Sequence, residues 1–277
     1  MYGDDALAVF APDLFRGKTA LVTGGGRGIG RAIALGFARY GANVVIASRN
    51  AANLEPTARE IRALGVECLA VPMSIREPEQ VDALAAQTLD RFGAIDCLVN
   101  NAGGQFPARP SQISDRGWRA VIDLNLNGTW NMCSRIGPHM LARRSGAVVN
   151  IVHVYSFDRG SPSFAHSGAA RAGVVSLTRS LAYYWGRHGV TVNALAPGTV
   201  ATAGVREEEF SHAEHADYEA VAIRDVPAGR LADADEIAAV TLFLCSPAAR
   251  YVNGAALVAD GALYLDSWTP MLDPQVP

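Results

Sequence analysis

The segment 23–30, with the sequence TGGGRGIG, has the composition of a phosphate-binding turn. Its glycines let the main chain turn sharply and approach an anion, which a Cβ atom would prevent. Small or apolar residues at 19–22 precede it, as in a buried strand, and residues 31–38 follow with apolar side chains at helical spacing. This order places backbone N–H groups beside a pyrophosphate. We therefore predict a dinucleotide site that includes Gly24, Gly28, Ile29 and Gly30.

The residues after the apolar segment 43–47 indicate which dinucleotide binds. Proteins that prefer NAD usually have Asp or Glu here, which holds the ribose 2′-hydroxyl. This chain has Ser48 and Arg49 instead, and Arg27 of the glycine turn could join them. A guanidinium binds phosphate through paired hydrogen bonds, so we predict NADP(H). The alternative is that both arginines are only solvated.

Strand-like and helix-like segments alternate along the whole chain. We predict strands at 19–22, 43–47, 66–71, 95–99, 147–152, 190–195 and 255–259. We predict helices at 31–38, 54–64, 78–92, 118–143, 164–188 and 233–245. This alternation is typical of an α/β protein. We expect one domain over residues 1–277, a doubly wound Rossmann fold with about seven parallel strands and helices on both faces.

Ligands of such sheets bind beyond the carboxyl ends of the strands, near the reversal of strand order. The segments predicted to lie there add these cofactor contacts: Ser74, Ile75, Asn101, Ala102, Gly103, Pro197, Gly198, Val200 and Thr202. The polar, irregularly patterned stretch 199–226 is long for a compact domain, and we predict a substrate lid there. Residues 263–277 form an irregular tail that could close over a neighbouring subunit's pocket.

Composition excludes several functional classes. The 277 residues carry a formal net charge of −3, which gives no indication of a nucleic-acid or membrane-surface partner. No apolar run is long enough to span a membrane, and the N-terminal residues do not look like a secretory signal. We expect a cytoplasmic protein. Metal-ligand spacing is absent among the scattered Cys68, Cys97, Cys133 and Cys245, so we expect buried, reduced thiols and no metal.

Four motifs together resemble the short-chain dehydrogenase/reductase superfamily. They are the glycine turn at 23–30, NNAG at 100–103, Asn125 in the predicted long helix, and NALAPG at 193–198. The resemblance extends over about residues 14–261. It implies a nicotinamide cofactor and a homotetramer built on the two long helices and the last strand.

The catalytic set departs from that family's usual Ser, Tyr-x-x-x-Lys and Asn. Alignment on the AGV sequence at 172–174 puts Arg171 in the lysine position and Ser167 in the tyrosine position, and the serine position falls at His153 or Val154. Segments 166–174 and 100–106 are similar to the peroxisomal trans-2-enoyl-CoA reductases. Their relatives, the 2,4-dienoyl-CoA reductases, also have serine in the tyrosine position. They carry a catalytic tyrosine just after strand five, where this chain has Tyr155. The tyrosine that the trans-2-enoyl-CoA reductases carry after Gly-Val is Val175 here.

The resemblance implies a site for reducing a conjugated thioester. Hydride goes to a carbon conjugated with the carbonyl, and negative charge develops on the carbonyl oxygen. Tyr155 would donate a hydrogen bond to that enolate, oriented by Asn125. Arg171 would hold the nicotinamide ribose, and Ser167 would bond the ribose or the substrate. Each residue also has a structural alternative. Tyr155 could simply form part of the pocket wall, and Arg171 could form an ion pair elsewhere. Asn125 could stabilise a helix kink through backbone hydrogen bonds, and Ser167 could be only a small residue that admits the substrate. His153 and His166 also lie near the predicted site and could take part in catalysis. The alternative is that they serve only in packing or hydrogen bonding.

Three functions remain open from the sequence. The first is an NADPH-dependent reductase of an enoyl or dienoyl thioester. The second is a carbonyl reductase or alcohol dehydrogenase on a small metabolite, with Tyr155 or a histidine replacing the missing phenol. The third is a catalytically silent NADP-binding sensor or scaffold.

Overall fold

A single parallel sheet organises the computed structural model, which describes residues 5–157, 159–161, 163–204 and 218–265. The strands within those ranges are Thr19–Thr23 (β1), Asn43–Ser48 (β2), Cys68–Pro72 (β3), Cys97–Asn100 (β4), Gly146–Ile151 (β5), Val190–Pro197 (β6) and Ala256–Ala259 (β7). Their order is β3-β2-β1-β4-β5-β6-β7, with every pair parallel. The order reverses between β1 and β4, which opens a crevice at their carboxyl ends. The predicted doubly wound Rossmann fold is confirmed.

Helices cover both faces of the sheet, as predicted. They are Gly28–Arg39 (α1), Ala51–Ala63 (α2), Pro78–Phe92 (α3), Asp115–Ile122 (α4), Gly128–Arg143 (α5), Ala165–Trp185 (α6), Tyr218–Asp225 (α7) and Ala234–Cys245 (α8). One buried cluster joins the sheet to α1, α2 and α8, and a second joins it to α3, α5 and α6. Successive strand residues alternate between them: Val22 lies in the first cluster and Leu21 in the second.

The long helix predicted at 118–143 is in fact α4 and α5 joined by a π-helical segment, Asp123–Asn127. It begins earlier than predicted because Ser114 caps it, its Oγ accepting the Gly117 N–H at 3.1 Å. The predicted cap of the last helix is confirmed. Asp233 Oδ1 accepts the Asp235 N–H at 3.0 Å, while Glu236 accepts the Asp233 N–H at 2.8 Å.

The predicted lid at 199–226 is only partly described, because residues 205–217 lie outside the described ranges. The described part contains a helix, α7, where irregular structure was expected. Its sequence, YEAVAIRD, is rich in good helix formers, with Glu219 in the first turn and Arg224 in the last, where each charge suits the helix dipole. Helix propensity could therefore have revealed it. Of the predicted tail, 266–277 are outside the described ranges.

The cysteines differ slightly from expectation. Cys68, Cys97 and Cys133 are free and buried, whereas Cys245 at the end of α8 is only partly buried. Among the helices of the described ranges, none combines the length and apolar character that crossing a bilayer requires.

Candidate active site

A cavity of about 1200 Å³ lies at the carboxyl ends of the strands. It brings together every position that the sequence predicts for cofactor binding: Gly24, Arg27, Gly28, Ile29, Gly30, Ser48, Arg49, Ser74, Ile75, Asn101, Ala102, Gly103, Arg171, Pro197, Gly198, Val200 and Thr202. The described residues of its wall include three arginines and neither Asp nor Glu. The wall is therefore positively charged and suits an anionic ligand.

The glycine turn after β1 has the geometry that a pyrophosphate requires. Gly24 has φ +68°, which is unfavourable for other residues, and a Cβ atom at Gly30 would overlap the Gly24 carbonyl oxygen. Arg27, the N-cap of α1, places no side-chain acceptor on the first turn, and that turn contains no acidic residue. The N-terminus of α1 thus presents its positive end to the cavity, and the turn fits a dinucleotide phosphate.

Side-chain hydrogen bonds between neighbouring strands hold this turn. Thr23 Oγ1 accepts the N–H groups of Asn101 and Ala102, each at 3.0 Å. Asn101 Nδ2 donates to the Thr23 carbonyl at 2.9 Å. The NNAG segment, which follows β4, therefore fixes the glycine turn that follows the neighbouring strand β1.

The residues predicted to bind a 2′-phosphate, Ser48, Arg49 and Arg27, all line the cavity. Ser48 Oγ donates to the Asn50 carbonyl at 3.2 Å, and Arg49 is exposed. An acidic side chain that would hold a ribose 2′-hydroxyl is absent from the described wall residues here.

Tyr155 and Arg171 both line the cavity wall. Tyr155 lies in a short turn, Val154–Ser156, directly after β5. Arg171 projects from α6, and its Nη1 donates to the Ile151 carbonyl at 2.6 Å. A Cβ atom at Gly103 would overlap its guanidinium. A glycine in the NNAG segment is therefore what leaves room for arginine in the family's lysine position.

His153 caps the turn that carries Tyr155. Its Nδ1 accepts the Tyr155 N–H at 3.2 Å, and its own N–H donates to Ser156 Oγ at 3.2 Å. Burial, reinforced by the Arg171 charge, lowers the pKa of His153 to about 3. The imidazole is therefore neutral at neutral pH.

This lowered pKa predicts a loss of stability in acid. In the unfolded chain His153 takes up a proton below about pH 6.5, whereas the folded protein resists protonation until about pH 3. Between pH 7 and pH 5 we expect the free energy of unfolding to fall by about 2 kcal/mol more in the wild type than in His153→Asn. Urea unfolding at both pH values measures this. Equal losses in the two proteins would contradict a neutral imidazole in the folded protein.

Asn125 and Ser167 do not line the cavity wall. Asn125 lies in the π-helical segment and is 2% exposed. Its Nδ2 donates to the carbonyls of Gly104 and Val121, each at 2.8 Å, and its Oδ1 accepts the Gly104 N–H at 3.3 Å. Ser167 is 1% exposed and lies behind the wall.

His166 also lies behind the wall. It is fully buried, and its Nδ1 accepts the Ser167 N–H at 3.0 Å. Its ring packs edge-on against Phe106, with centroids 4.4 Å apart. Burial lowers the pKa of His166, so this side chain too favours the neutral form.

The hydrogen bonds of Asn125 predict a structural cost. Asn125→Ala would leave the buried Val121 carbonyl and the partly buried carbonyl and N–H of Gly104 without these partners, so we expect about 2–3 kcal/mol less stability. Asn127→Ala is the matched control, because Asn127 is exposed and its Nδ2 donates only to the Asp123 carboxylate in the described contacts. Denaturant unfolding of both variants checks this. Similar stabilities would contradict it.

The described wall also contains residues that were not among the predicted site residues: Gln105, Ser161, Ser163, Phe164 and Leu263. Arg159 Nη1 donates to the carbonyls of Leu263 and Tyr264, at 3.3 and 2.8 Å. The start of the predicted tail therefore packs on its own chain, beside the cavity. The sequence could have predicted that Leu263 lies at the cavity, because residues that follow β7 must emerge at the same edge of the sheet as the other strand ends.

Comparisons with known proteins agree with this geometry. A family model described as enoyl-(acyl carrier protein) reductase matches residues 24–263. The chain is 38% identical over 261 residues to a peroxisomal 2,4-dienoyl-CoA reductase [(3E)-enoyl-CoA-producing] of Danio rerio, covering 94% of this chain and 85% of that one. It is 34% identical over 251 residues to the 3-oxoacyl-[acyl-carrier-protein] reductase of Staphylococcus epidermidis, covering 90% and 99%.

A solved structure of a short chain dehydrogenase from Bacillus anthracis has a TM-score of 0.84 and 36% identity, covering 92% of this chain and 99% of that one. The fold, the glycine turn and the strand-end cavity thus coincide with extensive sequence similarity. The chain belongs to the short-chain dehydrogenase/reductase family, whose fold binds a nicotinamide dinucleotide for oxidoreductase chemistry.

Proposed function

We propose that this protein is an NADPH-dependent reductase of the conjugated C=C bond of an enoyl or dienoyl thioester. The observation that carries this proposal is the position of the phenol. Tyr155 lines the cavity from the loop after β5, whereas the residue four before Arg171 is the buried Ser167. The site therefore has a phenol at its wall but none on α6 at the family's usual position.

A phenol in this place suits an enolate. Adding hydride to the conjugated carbon puts negative charge on the thioester oxygen, which needs hydrogen-bond donors rather than transfer of a proton to that oxygen. Reducing a ketone instead requires an acid that protonates an alkoxide. Arg171 cannot relay that proton, because a guanidinium stays protonated at any physiological pH.

The residues around the glycine turn would hold the cofactor, which supplies the hydride when bound. The N-terminus of α1 would bind its pyrophosphate, and Ser48, Arg49 and Arg27 would bind the 2′-phosphate. The three arginines of the wall match the negative charges of NADPH better than those of NADH.

The remaining side chains position the reacting groups. Tyr155 donates to the thioester oxygen, and Arg171 binds the nicotinamide ribose and keeps this end of the cavity positive. Asn125 acts through the backbone, because it fixes the Gly104 segment of the wall. Ser167 is buried behind the wall, so it supports the wall rather than contacting the substrate. Water supplies the proton that the enolate carbon takes up.

The test is an assay with purified protein, NADPH and a series of 2-enoyl-CoA, 2,4-dienoyl-CoA and 3-oxoacyl-CoA esters. We expect NADPH oxidation with the first or second class and a product with one C=C bond fewer than its substrate. Turnover of 3-oxoacyl esters alone would select carbonyl reduction, the activity in the name of the Staphylococcus epidermidis relative. Tight NADPH binding without any turnover would indicate a sensor or scaffold.

We also propose a cytoplasmic homotetramer. Large aromatic side chains are exposed on α5 and α6, the helices that the family resemblance assigns to subunit contacts: Trp130, Tyr183 and Tyr184 are 49%, 79% and 69% exposed. Burying them between subunits would be favourable. Light scattering of the purified protein measures the assembly.

A further inference from the structure

We propose that Leu263 is a specificity-determining residue, which contacts the acyl chain of the substrate beyond the reacting carbons, and that Arg159 holds Leu263 in place. The proposal rests on the function proposed above and deepens it, because it names the part of the site that selects the acyl chain. Leu263 lies in the turn that follows β7, lines the cavity and is partly buried.

The order of the strands places Leu263 on the substrate side of the site. Ser48, proposed to bind the 2′-phosphate of the cofactor, ends β2 near one edge of the sheet, whereas Leu263 follows β7, the strand at the other edge. Tyr155 follows β5, two strands away from β7. Because neighbouring strands lie about 4.8 Å apart, the ends of β5 and β7 are roughly 10 Å apart. Leu263 therefore lies beside the part of a substrate that extends beyond the thioester oxygen at Tyr155.

The surroundings of Leu263 suit an apolar chain. Leu263, Tyr155 and Phe157 all pack against one buried apolar cluster, formed by residues of α6, of β6 and of the loop after β5. The Phe157 ring also packs edge-on against Tyr264, the next residue of the turn, with ring centroids 5.7 Å apart. In an apolar pocket, one methylene group of a substrate changes kcat/KM by about 10-fold or more. A single leucine in this wall is therefore enough to affect the choice of acyl chain.

Hydrogen bonds fix the turn that carries Leu263. Asp260 Oδ1 accepts the Ala262 N–H at 2.9 Å, and Asp260 Oδ2 accepts the Tyr264 N–H at 2.6 Å. Arg159, from the loop after β5, donates from Nη1 to the carbonyls of both Leu263 and Tyr264. The turn is thus held from within and from a second segment of the wall, which makes Arg159 a positioning residue for Leu263.

Leu263→Asn tests the contact directly, because asparagine has nearly the shape of leucine and replaces its two methyl groups by a polar amide. The readout is the ratio of kcat/KM for trans-2-decenoyl-CoA to kcat/KM for crotonyl-CoA, which does not depend on the folded fraction of a preparation. We expect this ratio to fall about 10-fold or more, with an unchanged Kd for NADPH.

Leu265→Asn is the matched control. Leu265 belongs to the same turn, is 71% exposed and does not line the cavity, so this variant should keep the wild-type ratio. An unchanged ratio in Leu263→Asn, or an equal fall in both variants, would overturn the proposal.

Arg159→Met tests the positioning role. Methionine keeps an apolar stem but has no N–H group for the two carbonyls. We expect the ratio to fall about 3-fold in the wild-type background and to stay the same in the Leu263→Asn background, because Arg159 acts through Leu263. An equal fall in both backgrounds would overturn the positioning role. If Leu263→Asn does not fold, Arg159→Met carries the test, and an unchanged ratio in it would overturn the proposal.

Binding measurements separate this proposal from the proposed function. Calorimetry of the NADP⁺-bound protein with decanoyl-CoA and butyryl-CoA needs no turnover, and Leu263→Asn should weaken binding of decanoyl-CoA about 10-fold more than binding of butyryl-CoA. If this difference is found but no conjugated thioester is reduced, the proposed function fails and the role of Leu263 is supported. If conjugated thioesters are reduced but neither the kinetic nor the binding ratio changes, the role of Leu263 fails and the proposed function is supported. Failure of both acyl-CoA esters to bind would also overturn the role of Leu263.

Discussion

Tyr155→Phe is expected to lower kcat with an enoyl or dienoyl thioester about 10²–10³-fold, the usual effect of removing one donor from a developing oxyanion. Phenylalanine keeps the ring that packs against His153 and removes only the hydroxyl group. The turn Val154–Ser156 should therefore keep its geometry, and the Kd for NADPH should not change. Steady-state kinetics and a fluorescence titration with NADPH measure these quantities.

Tyr251→Phe is the matched control for this prediction. Tyr251 is fully exposed and does not line the cavity, and the substitution removes the same hydroxyl group. Its kcat should equal that of the wild type. If Tyr155→Phe retained kcat within a factor of two, the phenol would be only a wall residue, and enolate stabilisation would have to come from other groups.

Arg49→Glu is expected to lower kcat/KM for NADPH about 10²-fold or more and to leave kcat/KM for NADH equal or higher. A charge-assisted hydrogen bond to phosphate contributes about 1.5–3 kcal/mol, and the new carboxylate would also repel the 2′-phosphate. The same carboxylate can accept a hydrogen bond from the ribose 2′-hydroxyl of NADH. Kinetics with both cofactors give the ratio directly.

Arg59→Glu controls for the change in net charge. Arg59 lies on α2, its side chain is 73% exposed, and its Nε is 3.4 Å from Glu55. This variant should keep the wild-type preference for NADPH. An unchanged preference in Arg49→Glu would show that the 2′-phosphate binds elsewhere, and an equal change in both variants would indicate long-range electrostatics.

The sequence by itself determined the architecture and the location of the site. Apolar periodicity and the glycines at turns are local signals, and a parallel α/β sheet leaves few ways of arranging such segments. The carboxyl ends of its strands then share one edge, so the positions of residues as distant as Gly24 and Thr202 followed from strand boundaries alone. The helix α7 was missed because its hydrophobic pattern is weak, although its composition favours a helix.

The tertiary structure decided what each polar side chain does within that site. Asn125 and Ser167 matched family positions in sequence, yet one is engaged by backbone groups and the other is buried behind the wall. His153 was one of two candidates for the family's serine position in the sequence, and only the folded protein shows that its Nδ1 accepts the Tyr155 N–H and that the Arg171 charge acts on its ring. Hydrogen-bond partners, burial and pKa depend on groups brought together from distant parts of the chain. Local patterns do not encode those contacts, so residue roles had to be read from the folded protein.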